Sequence, residues 1–214
     1  MFKKLFSRNK SAPRQLEQVD QLQVGDMVLF KYRESLPPEL REKQLEVTEL
    51  GTYEYSSGRS KELVLKDEEN NTFYLSLEND DGEVSLCLAK KISRGQVSEL
   101  FDEQQFGELW GEQWADLAVQ IDQQQLPEAL SGWLTGSYRQ SVKDQQVFYY
   151  ERDVLSADLS DPDDGEELRI HECEGDDDSF GLNIEISDDG STAVFLQVYC
   201  PTDVIAQLDP GGAG

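Results

Sequence analysis

Apolar and polar residues alternate with a period of two through much of this chain, and two stretches carry the same alternation in the same order. In the first, Glu62-Leu63-x-Leu65 leads through an Asn70-Asn71 turn to Phe73-x-Leu75-x-Leu77-Glu78, then Asp80-Asp81-Gly82, then Val84-x-Leu86-x-Leu88. In the second, Glu167-Leu168-x-Ile170 leads through an acidic turn to Phe180-x-Leu182-x-Ile184-Glu185, then Asp188-Asp189-Gly190, then Val194-x-Leu196-x-Val198. The offset grows from 105 at Glu62/Glu167 to 107 at Phe73/Phe180 and 108 at Gly82/Gly190, so small insertions separate the copies. Alternation of this kind puts successive side chains on opposite faces of a strand. An Asp-Gly pair between two such runs is a hairpin signal. A duplicated β unit is therefore the first organising expectation.

Shorter β runs precede each copy. Leu22-x-Val24-Gly25-Asp26-Met27-Val28-Leu29-Phe30 and Leu45-x-Val47 lead to Tyr53-x-Tyr55, and Val147-Phe148-Tyr149-Tyr150 stands in the corresponding place before the second copy. Between them the period changes. Phe106, Leu109, Trp110, Trp114, Leu117 and Ile121 share one face of a helix spaced at 3.6 residues per turn. Pro127 suits the first turn of a second helix through Leu130 and Trp133. These patterns predict an α+β chain, mainly β: two related antiparallel β meander modules joined by an amphipathic helical connector. The expected boundaries are a basic tail over 1–14, a first module over 15–95, the connector over 96–135, a second, acidic module over 136–209, and a tail over 210–214.

Charge alters this picture more than size does. The 214 residues carry a formal net charge of −25, yet residues 1–14 hold Lys3, Lys4, Arg8, Lys10 and Arg14 with no acid, leaving −30 on the remainder. Such a body repels phosphates, which argues against direct nucleic-acid binding and for a basic protein surface or a cationic ligand as partner. No apolar run is long enough to span a bilayer. Cys87, Cys173 and Cys200 are odd in number and scattered, which suits free thiols and a cytoplasmic location. Within the tail, Phe2, Lys3, Lys4, Leu5 and Phe6 form one short amphipathic turn, enough for a weak membrane-surface contact.

Chemistry is sparse. With His171 as the sole histidine, no nucleophile–histidine arrangement is credible that does not use it, and neither a metal centre nor a cofactor is expected. The stretch from Glu174 to Glu185 matches an EF-hand at several acidic positions, but Ser179 stands where glycine is required and the flanks alternate like strands. Glu78 and Glu185 occupy matched positions before the Asp-Asp-Gly turns. A paired acid–base role would need one pocket to hold both; otherwise each lies on a solvent face. The candidates for partner binding are Asp163, Asp164, Asp176, Asp177 and Asp178 in acidic loops, with Trp110 and Trp114 from the connector, whose tryptophans are otherwise expected to dock on the β halves.

The Leu22-x-Val24-Gly25-Asp26 opening, the Tyr53-Glu54-Tyr55 step and the strand through Leu75 with its acidic hairpin resemble the bacterial domain of unknown function 4178. The stretch from Phe180 to Glu185, with Asp189-Gly190 and Tyr199-Cys200-Pro201, looks like a second tandem unit of that kind. The resemblance implies a bacterial cytoplasmic protein with neighbours concerned with membrane stress and polyamine metabolism, and it brings no catalytic residues. Sequence thus leads to the expectation of a non-enzymatic partner-binding or adaptor protein with an acidic surface. The alternative is an acidic decoy that mimics nucleic acid and inhibits a DNA-binding protein.

Overall fold

A computed structural model describes residues 14–80, 82–122, 125–157 and 165–211. Among these described residues, eleven strands form one sheet: β1 (Met27–Phe30), β2 (Gln44–Tyr55), β3 (Gly58–Lys66), β4 (Thr72–Asp80), β5 (Glu83–Ile92), β6 (Asp116–Ala118), β7 (Ser137–Tyr150), β8 (Glu166–Gly175), β9 (Phe180–Ser187), β10 (Thr192–Pro201) and β11 (Ile205–Asp209). Their order is β11-β1-β2-β3-β4-β5-β10-β9-β8-β7-β6. A further antiparallel pairing, Thr52↔Tyr150, Tyr53↔Tyr149 and Glu54↔Phe148, joins β2 to β7 and closes eight strands, β2–β5 and β7–β10, into a barrel.

The repeated sequence takes matching places in this order. Strands β3, β4 and β5 correspond to β8, β9 and β10, and the two sets meet along β5–β10, where Val194↔Ile92 runs to Pro201↔Ser85. The hairpins β4–β5 and β9–β10 turn at Gly82 and Gly190, whose φ values of 92° and 81° lie where a side chain is strained. Each half also sends its tail to the other half's leading strand. After β10, β11 returns to pair with β1, and after β5, Phe101 forms a bridge with Val119 beside β6.

This arrangement corrects the expectation of two separate meanders joined by a helical connector. The halves share one sheet and complete one barrel. The connector contains α1 (Arg94–Leu100) and α2 (Glu103–Gly107), then a 3₁₀ turn at Glu108–Trp110, and then the extended β6. Gly107 and Gly111 each weaken a helix by about 1 kcal/mol, and the helix ends between them. Pro127 starts only a single 3₁₀ turn, Glu128–Leu130. The apolar residues of the supposed helix face are buried one by one instead: Leu109 and Leu117 enter the main core, while Trp110 and Trp114 stay exposed.

Two faces of the sheet have different fates. Leu63, Leu65, Phe73, Leu75, Leu86, Leu88, Leu182, Ile184, Leu196 and Val198 lie on the face that joins the principal core. Val28 and Phe30 of β1, Leu40, Leu100, Phe101, Leu117 and Trp133 pack into the same core. Trp133, fully buried, stacks on Phe73 with ring planes 8° apart, and its indole N–H donates to Glu39. The opposite face lines the lumen, where Val147, Leu168 and Ile170 form a smaller cluster with Tyr53, Tyr55 and Tyr149. Among the described residues, no helix is long and apolar enough to cross a membrane.

Candidate ligand-binding lumen

Closure of the barrel turns the polar side of the alternation inward. Glu62 of β3, Tyr74, Ser76 and Glu78 of β4, Cys87 of β5, Glu172 of β8, Asn183 and Glu185 of β9, and Phe195, Gln197 and Tyr199 of β10 all face a cavity of about 610 Å³, together with Tyr53 and Tyr55 of β2. Residues that read as solvent-facing on a flat meander become the lining of a compartment.

The deepest part is a network of carboxylates and phenols. Tyr53 Oη donates to Glu185 Oε1 at 2.7 Å across the lumen, since β7 and β8 separate their strands along the sheet. Asn183 Nδ2 donates to the same oxygen at 3.0 Å, and Tyr149 Oη donates to Glu62 Oε1 at 3.2 Å. The Tyr53 and Tyr149 rings lie 4.7 Å apart between centroids. Gly51 makes this possible: a Cβ there would run into the Tyr149 phenol. Aromatic walls continue with Tyr55 beside Tyr53 and with Tyr74 set edge-on to Phe195, their centroids 5.2 Å apart.

Electrostatics follow from this crowding. Burial and then the Glu185 carboxylate push Glu62 up to about 8, only partly offset by the phenol donors. Burial raises Glu185 as well, opposed by donation from Tyr53 and Asn183 and by the charge of Lys91. Lys91 is itself exposed, with its ammonium 5.7 Å from the centre of the Phe195 ring. Nearer the turn end, burial and the Glu78 charge raise Glu172, and burial raises Glu78, which Ser76 Oγ meets at 3.3 Å. Burial first, then these carboxylates, hold Tyr53, Tyr55 and Tyr149 above the ordinary phenol value. Cys87 is fully shielded and its thiol is pushed up by burial, which makes it a poor nucleophile. Among the described residues, no group of three or more His, Cys, Asp and Glu side chains is placed to hold a metal ion. The carboxylates are strung along the lumen rather than gathered at a point.

Glu78 and Glu185 thus do line one cavity, Glu185 buried against the solvent-face reading and Glu78 exposed at the rim in keeping with it. The charge that acts on Glu62 is that of Glu185, however, and Glu172 feels first that of Glu78 and then that of Glu174. The working pairs are Glu62 with Glu185 and Glu172 with Glu78. A flat-meander reading of the strands misses Tyr53, Tyr55, Glu62, Tyr149, Glu172 and Asn183. One signal was present: Tyr74, Phe195 and Tyr199 are bulky aromatics on what would otherwise be a solvent face.

The loop candidates lie elsewhere. Asp176 accepts from the Thr135 hydroxyl, which holds its carboxyl below the usual range, and Asp177 Oδ1 accepts from the Ser179 N–H at 2.9 Å. Both, with Asp178, are exposed in the β8–β9 turn. Trp110 rests on Phe106 and on His171, a buried ring that projects away from the lumen and whose Nδ1 lies 3.0 Å from Gln140 Nε2. Lys143 sits over Trp114 at 5.3 Å and donates to the Gly111 carbonyl at 2.9 Å. The tryptophans and aspartates are thus anchored on different neighbours. Asp163 and Asp164, and the stretch of Phe2, Lys3, Lys4, Leu5 and Phe6, lie outside the described residues. No family model matches the chain, and no curated protein or solved structure gives a significant match.

Proposed function

We propose that this chain is a non-enzymatic binding protein that holds a small organic cation, a primary or substituted ammonium group, inside its barrel. The observation that carries this reading is that Glu62 and Glu185, which accept from Tyr149 and Tyr53, share one cavity of about 610 Å³ lined also by Tyr53 and Tyr55. Two carboxylates brought together out of water repel one another, and an ammonium seated between them relieves that repulsion. Ring faces beside them attract the same ligand, by about 0.5–2 kcal/mol each. The acidic balance of the chain, −25, favours the arrival of cations over anions.

Calorimetric titration tests the reading with three probes of like size: butylammonium, butanol and butyrate. Saturable binding of butylammonium alone, abolished or weakened by at least about tenfold in Glu62→Gln, is the expected result, in keeping with a charge-assisted hydrogen bond worth about 1.5–3 kcal/mol. Equal response to butanol, or unchanged butylammonium affinity in the variant, would refute it.

A further inference from the structure

The register of the barrel places the two carboxylate pairs one step apart along its axis. Glu62 lies opposite Ser76, and Glu78 is two residues further along β4. Glu185 lies opposite Ile170, and Glu172 is two residues further along β8. Both steps lead to the same end of the barrel, the one that holds the β4–β5 turn at Gly82 and the β8–β9 turn before Phe180. Two residues at about 3.4 Å each make a step of roughly 7 Å along the strand between the two levels, which the 35–45° tilt usual in barrels reduces to about 5–6 Å along the axis. Tyr55 follows Tyr53 by the same two residues on β2, and the charges of all four glutamates act on its phenol.

A second observation belongs to the same stretch of wall. Asn183 lies opposite Glu172 and two residues from Glu185. Its Nδ2 donates to Glu185, which fixes the amide orientation and leaves Oδ1 buried with no hydrogen-bond partner among the described residues. A buried carbonyl of this kind is costly unless a donor reaches it, and the lumen is the side from which a donor can come.

Resting on the cation-binding reading, we infer that the ligand is a linear aliphatic diamine, one ammonium between Glu62 and Glu185 and the other between Glu78 and Glu172, its hydrocarbon spacer against Tyr55. A donor of the second ammonium meets Asn183 Oδ1. An extended chain advances about 1.25 Å per bond, given bond lengths near 1.5 Å and angles near 111°. A four-carbon spacer therefore sets its nitrogens about 6 Å apart, close to the step between the pairs. The wall is acidic at both levels, whereas a single-headed amine would leave one pair unanswered.

The test compares 1,4-diaminobutane with butylamine, as hydrochlorides at pH 7, by calorimetry on the full chain and on Glu62→Gln, Glu78→Gln and Glu172→Gln. Circular dichroism melts check that each variant folds; Glu78, exposed at the rim, is the substitution least able to disturb folding. The wild type is expected to bind the diamine at least about tenfold more tightly than butylamine, the value of one added charge-assisted hydrogen bond. Glu78→Gln and Glu172→Gln remove that advantage and leave butylamine affinity as it was, while Glu62→Gln weakens both probes. Butylamine binding with no gain for the diamine, or a gain that survives both rim substitutions, overturns the diamine inference alone. Failure of both amines to bind overturns the cation-binding reading, and this inference with it.

Discussion

Removing the Glu62 charge should change how stability depends on pH, with a sign that the structure fixes. Glu62 holds its proton up to about 8 in the folded chain, against 4.5 for an ordinary glutamate. Each pH interval of one corresponds to about 1.4 kcal/mol of difference between protonation states, so ionising Glu62 in place costs at most roughly 5 kcal/mol. Relaxation of the surroundings around the new charge brings the expected loss to about 2–3 kcal/mol. Because the folded state keeps a proton that the unfolded chain has lost, this stability is complete below pH 4.5 and drains away as pH rises toward 8. The groups that face Glu62 are Tyr149, Tyr53, Tyr55 and Tyr74, whose phenols all titrate above this window, and Glu185 with Lys91 behind it. His171 works in the opposite direction, since burial lowers its value, but it does so equally in wild type and variant. Urea unfolding at intervals from pH 5 to 8.5 should therefore show the wild type losing about 2–3 kcal/mol relative to Glu62→Gln, with the variant the more stable at pH 8.5. Parallel curves across that range would refute the argument.

Three further expectations test the packing. Gly51→Ala drives a methyl into the Tyr149 phenol and should destabilise by about 1–3 kcal/mol in urea unfolding, through overpacking. Trp133→Ala should cost about 3–5 kcal/mol while Trp114→Ala stays within about 0.5 kcal/mol, since the first is fully buried and the second exposed; equal losses would contradict the burial pattern. The thiols of Cys87, Cys173 and Cys200 are all buried, with Cys173 and Cys200 pushed up to about 12, so a disulfide reagent at pH 8 should titrate them only after unfolding.

Local signals foretold much of the strand content, because period-two alternation and Asp-Gly turns act over a few residues. Phe73, Leu75 and Leu77, and Phe180, Leu182 and Ile184, share the faces that alternation assigns them. What local pattern does not contain is closure. Three residue pairs between β2 and β7, about a hundred positions apart, decide whether Glu62 and Glu185 meet water or each other. The same limit explains the connector: its helical periodicity is genuine, but Gly107 and Gly111 make the helix too weak to outlast the burial of Leu109, Ala115 and Leu117 as separate anchors. The lumen residues were legible individually as polar positions, and their convergence was not.

The exchange of tails between halves bears on how this chain is made. Strand β1 is synthesised long before its partner β11, with Met27 opposite Asp209 and the Gly211 N–H donating to Asp26 Oδ1 at 2.8 Å. Phe101 likewise waits for Val119, and β2 waits for β7. No stage of synthesis before β11 can satisfy the outer edge of β1, and pairings of such long sequence separation form slowly. During translation the first half is left with open strand edges, the kind of surface that recruits other chains. Folding is therefore coupled to the arrival of β11, and loss of that strand alone should expose the outer edge of β1.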